Sequence, residues 1–244
     1  MNHRTLSFAI ALFAFSIAPA TAETPQFRPA LLGHFSRSLI NTINTESLMK
    51  RGQGDALVMF TAGVSASGYG YIWETYRGTP NSGLLSKELM DRASQSQFEP
   101  AIYKGQRVGV VINGTASFFI AGGKPHLRIF LHQEEGDLKS GKDFVAPQLA
   151  FVTGNPQFEG IWYPGHAITT PGVAAVNLDV DATGKVQNAV IAYEHPPGKG
   201  FGIEAVDALR KAAFIPGYRN GKPVSCHFTY PVIFSGTSRK PRTG

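Results

Sequence analysis

The stretch Phe214-Ile-Pro-Gly-Tyr-Arg-Asn-Gly-Lys-Pro-Val224 has a counterpart 116 residues earlier, Phe98-Glu-Pro-Ala-Ile-Tyr-Lys-Gly-Gln-Arg-Val108. Both read Phe, one residue, Pro, four residues, Gly, two residues, Val. In this order, Phe anchors a helix end in a core, Pro stops the helix, Gly turns the chain and Val begins a strand. The shared spacing predicts that the chain makes the same structural manoeuvre twice.

The similarity extends well beyond this stretch. Residues 57–119 align with residues 173–235 without a gap, and eleven positions are identical. Most of the identical residues set the chain direction or fill a core. Because an internal repeat decides the architecture before any local pattern does, we interpret the chain as two copies of one supersecondary unit.

The second copy gives the clearer pattern. Apolar residues alternate with polar ones from Val176 to Val180, which predicts a strand. A turn at 181–184 leads into a strand over 186–193, and a helix is predicted over 203–213. A long third strand is predicted from Val224 to Phe234. Each unit is therefore expected to be a β-hairpin, a helix and a third strand, which is an α+β fold with two tandem domains.

The first copy follows the same course, with strands over 57–64 and 69–76, a helix over 84–97 and a third strand that begins at Val108. The dipeptide Asn113-Gly114 predicts a hairpin or a bulge within that third strand. Phe35, Leu39 and Ile43 lie at helical spacing and predict a helix that precedes the first domain.

The N-terminal residues have the features of a secretory signal peptide. Arg4 precedes an apolar run, and Ala20-Thr-Ala22 suits cleavage after Ala22. The alternative is an uncleaved anchor, but the apolar run is shorter than the about 20 residues that span a bilayer. The predicted organisation is a signal peptide (1–22), a divergent first domain (23–121), a linker or strand (122–146), a second domain (147–235) and a basic tail (236–244).

The net charge is +6, which predicts a weak attraction to anionic envelope polymers. No basic stripe alternates with aromatic residues, so we expect no nucleic-acid partner. Cys226 is the single cysteine, which excludes an intrachain disulfide and favours a small buried side chain.

The sequence offers no motif for catalysis, cofactor or metal. Asp179 and Asp181 share a strand face, which is typical of a solvated side. His126 and His132 lack a metal-site spacing, and His227 is expected to point away from its neighbour Cys226. We therefore predict a protein that is not an enzyme and has no cofactor or metal site, with an enzyme of unknown type as a less favoured alternative.

The second copy resembles the C-terminal domain of the TonB energy-transducer family. The resemblance rests on GVAAVNLDVDATGKVQNAVI (172–191), FIPGYRNGKPV (214–224), YPVIF (230–234) and, upstream, YPGHA (163–167). It implies a three-stranded antiparallel sheet with a helix packed on it, in the bacterial periplasm. In that family the last strand lies at the sheet edge and pairs with a short extended segment of outer-membrane transporters.

The resemblance therefore implies a peptide-binding edge strand and a protein partner in the cell envelope. An edge strand has unpaired main-chain groups to which an extended peptide can add, and Pro231 fits such an edge because it lacks an N–H. The expected binding residues lie in this last strand: Ser225, Cys226, His227, Phe228, Thr229, Tyr230, Val232 and Phe234.

Two alternatives remain open. The edge is covered by the chain's own segments in a structural or assembly protein whose domains pack on each other without a peptide ligand. Alternatively, a retained N-terminal anchor makes the chain a TonB-type transducer. The long Pro-rich spacer typical of transducers has no counterpart in the sequence, so energy transduction is not expected. The sequence does not predict an oligomeric state.

Overall fold

The structure is a computed structural model that describes residues 26–132, 144–155, 157–165 and 170–235. We call residues 26–132 the first unit and residues 144–235 the second unit. The predicted signal peptide, the basic tail and residues 133–143 of the predicted linker lie outside the described residues. None of the helices in the described ranges is long and apolar enough to cross a membrane.

The first unit consists mainly of antiparallel strands, with three short helices. Its elements are β1 (Phe27–Arg28), α1 (Leu39–Thr42), α2 (Thr45–Lys50), β2 (Ala56–Val64), β3 (Gly70–Gly78), α3 (Gly83–Ala93), β4 (Ala101–Tyr103), β5 (Gln106–Ala121) and β6 (Lys124–Leu131).

In its described residues, the second unit contains the remaining strands and one helix. Its elements are β7 (Phe144–Val145), β8 (Gln148–Phe151), β9 (Gly172–Val180), β10 (Val186–His195), α4 (Phe201–Leu209), β11 (Ala213–Ile215), β12 (Gly217–Arg219), β13 (Lys222–Val224) and β14 (Cys226–Phe234). This mixture of antiparallel sheets and short helices confirms the predicted α+β class.

The central strands of the two units pair in the same way. Strand β2 lies between β3 and β5, and β9 lies between β10 and β14. The pair Ala56 and Phe118 becomes the pair Gly172 and Phe234 when 116 is added to both numbers. Because a shift of one residue would turn every side chain to the other face, the same faces are buried in both units.

The turn of each hairpin is also the same. Gly68 and Gly184 have positive φ angles of 87° and 82°, which only glycine adopts without strain. The main-chain carbonyl of Gly68 accepts the N–H of Phe98, and that of Gly184 accepts the N–H of Phe214. The two Phe side chains of the repeated stretch are 1% and 0% exposed, as expected of core anchors.

The helices end earlier than the sequence pattern predicts. Helix α3 ends at Ala93 and helix α4 at Leu209, so neither reaches the Phe–Pro stretch that was expected to end it. After α4 the chain forms β11, which pairs with β8. This long-range pairing places Ala213, the last residue of the predicted helix, in a strand instead.

Two predictions for the first unit are wrong. Strand β5 runs without interruption through Asn113-Gly114, because Gly114 makes room for a ring: a Cβ there would lie 2.4 Å from Phe60. The predicted leading helix is instead two short helices, α1 and α2, and Phe35 precedes both. Helix α1 ends with Ile43 as its C-cap, and Asn44 caps α2, since its side chain accepts the N–H of Ser47 at 2.9 Å.

Strand β8 joins the two units. It pairs with β5 through Gly109–Val111 and with β11 of its own unit. Two side chains of the second unit, Ala150 and Ile215, lie in the core of the first. The buried side chain of Gln148 also holds both main-chain groups of Ala30, with distances of 2.7 and 3.0 Å. The units therefore share hydrogen bonds and apolar contacts.

Candidate functional site: the outer strand of the second unit

Strand β14 is the outermost strand of the three-stranded sheet β10-β9-β14. It pairs with β9 along its whole length, from Cys226 opposite Val180 to Phe234 opposite Gly172. No second strand of the described ranges pairs with it. We call the side of β14 that faces away from β9 its outer side.

One face of β14 anchors the strand in the second core. Phe228, Tyr230, Val232 and Phe234 are between 2% and 4% exposed. Phe214, from the repeated stretch, lies edge-on to Phe228 and Tyr230, with ring centroids 6.0 and 5.7 Å away. The side chains of these four predicted binding residues therefore hold the strand against the second core, and they are buried there.

The other face of β14 is polar at its N-terminal end. His227 and Thr229 are exposed, and they pair across the sheet with Asp179 and Asn177 at 2.8 Å each. The hydrogen bonds from His227 and Asn188 hold the pKa of Asp179 below its usual value. Cys226 turns toward the second core and His227 toward solvent, so the two side chains lie on opposite faces as predicted.

The neighbouring carboxylate, Asp181, organises the turn before β10. It accepts hydrogen bonds from Thr183, Gln187 and the N–H of Lys185, of which the Thr183 bond contributes most to lowering its pKa to about 2. Ser225, just before β14, accepts the N–H of Ala182 in the same turn. These groups fix the turn in place and do not form a joint acid–base pair.

The direction of the main chain in β14 follows from the equivalent strand β5. In β5, the N–H of Asn113 donates to the ring of His132 at 2.8 Å, and its carbonyl accepts the N–H of His132 at 3.0 Å, so both groups point away from β2. Thr229 occupies the same register against β9 as Asn113 does against β2.

The main-chain groups of Thr229 therefore point to the outer side. Because directions alternate along an antiparallel strand, those of His227, Pro231 and Ile233 do so too. Pro231 thus costs no hydrogen bond to β9, as expected of a proline in an edge strand.

The first unit lies next to the outer side of β14. Tyr230 and Asn113 line the same cleft, and burial raises the pKa of the Tyr230 hydroxyl. Ser235 lies near the carboxylate of Glu74, whose pKa is raised by partial burial. Two clefts of about 150 and 220 Å³ remain between these contacts and are lined by β14 and by the first sheet.

These partners of β14 were not identified from the sequence. Asn113 attracted notice there only as a turn residue, and His132 only as an isolated histidine. Neither has a local pattern that reports contact with a strand about a hundred residues away. The repeat itself was the usable signal, because it places Asn113 and Thr229 at equivalent positions.

A wider groove of about 660 Å³ lies on another side of the molecule, where β4, β5 and β8 meet. Its ionisable side chains other than Tyr103 are two cations, Lys104 and Arg107. The attraction to anionic polymers stays a prediction. These two cations are where we would expect such a polymer to bind. Within the described residues, no three potential ligand side chains come together as a metal site would require.

Comparison with protein families agrees with this geometry. Residues 163–235 match the model of the family described as Gram-negative bacterial TonB protein C-terminal. Neither the curated proteins nor the solved structures gave a match to the chain. Domains of the matched family are associated with the bacterial envelope and interact with other proteins there. Residues 163–235, which contain β9, β10, α4 and β14, are therefore similar to the C-terminal domain of TonB proteins.

Proposed function

We propose that this chain binds an extended segment of an envelope protein, which adds as a strand to the outer side of β14. The observation that carries the proposal is the difference between β14 and β5. The two strands have the same register in their units, yet β5 is paired on its outer side with β6 and β8, whereas β14 has β9 as its one strand partner among the described residues.

Strand β6 shows what such an addition looks like. It pairs antiparallel with β5 from Gly114 to Ala121. Gly114 is equivalent to Tyr230, and Asn113, whose main chain also contacts His132 after β6, is equivalent to Thr229, so the corresponding segment on the second unit is Thr229–Phe234. The cleft of about 220 Å³ lies beside this segment, and its lining includes Phe158 and Ile161. A bound peptide can therefore obtain main-chain hydrogen bonds from β14 and apolar contacts from the cleft.

The repeated architecture supports a further part of the proposal. We propose that the two units arose from one duplicated hairpin–helix–strand unit, since strand bounds, registers and turn hydrogen bonds follow the same offset of 116. The first unit then keeps the fold while its outer strand edge is filled by the chain itself. The second unit keeps the binding edge.

The proposed setting is the periplasm, after export and removal of the segment up to Ala22, and the proposed role is non-enzymatic binding. A retained anchor would instead favour a TonB-type transducer. Mass spectrometry of the native N-terminus decides between them, because a mature chain that begins at Glu23 has lost the apolar run.

A structural or assembly role is the second candidate, and the contacts between the units favour it. Tyr230 of β14 lies near Asn113 of the first unit, and Ser235, the residue after β14, lies near Glu74. In this alternative the units cover each other permanently and no peptide enters.

The main test is a proline at Thr229. Thr229→Pro removes an outward-pointing N–H and leaves the hydrogen bonds to β9 in place. Thr229→Val is the matched control, since it keeps the N–H and removes only the hydroxyl that bonds Asn177. We expect affinity capture from an envelope extract to recover transporter N-terminal segments with the natural chain and with Thr229→Val, but not with Thr229→Pro.

Circular dichroism of each variant verifies that the fold is kept. Equal recovery of these segments by both variants would exclude strand addition at β14. Failure of the natural chain to recover any such segment would favour the structural role.

A further inference from the structure

The cleft of about 220 Å³ beside the C-terminal half of β14 contains a carboxylate. Glu74 of β3 lines this cleft together with residues 230–234. Among the described residues of the lining it is the one charged side chain, and most of the others are apolar, including Leu149, Phe158 and Ile161. A carboxylate therefore lies in a cleft whose other walls suit apolar side chains.

The carboxylate of Glu74 has no cation beside it in the described ranges. Partial burial raises its pKa, and the nearby Ser235 lowers it. None of the ion pairs between described residues includes Glu74. By contrast, the buried Glu88 of α3 is paired with Arg51 and Arg92 at 2.9 and 3.0 Å. Glu74 thus lacks the partner that a carboxylate needs when water is removed from it.

A strand added to β14 would cover this carboxylate further. The segment proposed to receive the strand is Thr229–Phe234, and Glu74 lies near Ser235, directly after the end of that segment. Removing the remaining water from Glu74 is unfavourable unless the added strand supplies a positive charge. The cleft therefore favours one class of extended segment over others.

Strand β6 shows which end of an added strand comes to this position. Phe119 of β5 is equivalent to Ser235 and pairs with His126 in the N-terminal half of β6. In an antiparallel pair, the C-terminal end of one strand lies beside the N-terminal part of the other. Residues 124–128 of β6 include a Lys and an Arg, and residues 129–131 are apolar. The strand that closes the equivalent edge is therefore basic first and apolar afterwards.

We propose that the segment that adds to β14 carries a Lys or Arg side chain, N-terminal to its apolar residues, which pairs with Glu74. This inference rests on the proposed strand addition and specifies the chemistry of the partner. The cation neutralises the carboxylate while the strand covers it, and the apolar residues that follow contact Phe158 and Ile161. Glu74 determines specificity, because a segment with a neutral or acidic residue at this position leaves the carboxylate unpaired.

A peptide array tests the proposed chemistry on the full chain. The probes are immobilised nine-residue peptides of alternating Val and Thr, in which Lys, Gln or Glu replaces one residue at each position in turn. At a position in the N-terminal half, we expect Lys peptides to bind at least about fivefold more tightly than Gln peptides, because a charge-assisted hydrogen bond is stronger than a neutral one. Glu peptides should bind least at that position.

Two substitutions at Glu74 assign this preference to its carboxylate. Glu74→Gln should lose the preference for Lys and still bind, because the main chain of β14 is unchanged. Glu74→Lys should prefer Glu at the same peptide position, which a merely structural role of Glu74 would not produce. The matched control is Glu204→Gln, since Glu204 is also half-buried but lies on α4, outside the cleft. The control should keep the preference for Lys.

The outcomes separate this inference from the proposed function. Binding that Thr229→Pro abolishes, but that shows no preference for Lys, overturns the inference and leaves strand addition in place. If the natural chain binds none of the peptides, both are overturned. A preference for Lys that appears only after Arg239, Lys240 and Arg242 are all replaced by Gln would assign Glu74 to the chain's own basic tail, which also overturns the inference.

Discussion

Strands β5 and β14 occupy the same place in the two units but have different neighbours. Each pairs with the central strand of its unit in the same register. Strand β5 is then followed by a turn at Gly122-Gly123, both with positive φ, and the chain returns as β6 along its outer side. Strand β14 instead faces clefts and a few side chains of the first unit. The comparison shows that a shared unit fixes which face of a strand is buried, whereas its outer edge is determined by segments outside the unit.

The largest effect is expected from the two Phe residues of the repeated stretch. Phe98→Ala and Phe214→Ala each remove a ring that is at most 1% exposed. Each should lower the free energy of unfolding by about 3–5 kcal/mol, from lost burial and the cavity that remains. Urea unfolding followed by circular dichroism measures both values.

Similar costs for the two substitutions would support equivalent roles in the two units. If Phe98→Ala costs less than about 1 kcal/mol while Phe214→Ala costs several, the first unit does not depend on its Phe anchor and the comparison breaks. Phe151→Ala is a suitable control because that ring is 43% exposed.

The next largest effect concerns the connection between the units. Gln148→Ala leaves the N–H and C=O of the buried Ala30 without their partner. Unsatisfied buried polar groups of this kind should lower the free energy of unfolding by about 2–3 kcal/mol. Gln157→Ala, at an exposed position, should change it little. Equal stability of the two variants would show that the Gln148 side chain does not hold the units together.

A smaller effect, which depends on pH, is expected at the covered edge of β5. Burial lowers the pKa of His132 to about 4, below the usual 6.5. As the pH falls below about 6.5, His132 becomes protonated in the unfolded chain. In the folded chain it stays neutral until about pH 4. The free energy of unfolding therefore decreases between pH 6.5 and pH 4. The histidine should make the protein about 2 kcal/mol less stable at pH 5 than at pH 7.

His132→Gln can keep the acceptor for the N–H of Asn113 but does not titrate in this range. The difference between urea unfolding at pH 7 and pH 5 should therefore shrink by about 2 kcal/mol in the variant. An unchanged difference would mean that His132 is protonated in the folded protein and does not close the edge of β5 as a neutral acceptor.

The sequence pattern located most strands and turns because their signals are local. The alternation over Val176–Val180 and the turn glycine at position 184 depend on residues near each other in the chain. The ends of the helices were predicted less well. Helix α4 ends at Leu209, and Ala213, which the pattern placed in the helix, pairs in β11 with β8, more than 60 residues earlier. At Gly114 the local turn signal was misleading, since the glycine accommodates the ring of Phe60.

The candidate site was also predictable only in those features that depend on local sequence. Alternation identified the buried face of β14, and the repeat made its equivalence to β5 visible. The residues that lie next to its outer side could not be predicted from the sequence. Asn113 and Glu74 come close to Tyr230 and Ser235 only because the two units pack together. The position of β10 at the edge of its sheet was not predictable either. Alternation with a period of two residues shows which face of a strand is buried, but not whether the strand lies at the edge of a sheet.

The sequence by itself determined the α+β class, the repeated order of hairpin, helix and strand, and the inward face of each central strand. These features follow from side-chain alternation and turn chemistry, which act over a few residues. The tertiary structure alone decided that β8 joins the units, that β5 is paired on both sides and that β14 and β10 are the outer strands. Strand edges are completed by hydrogen bonds between distant segments, and no local pattern of side chains encodes which segment arrives there.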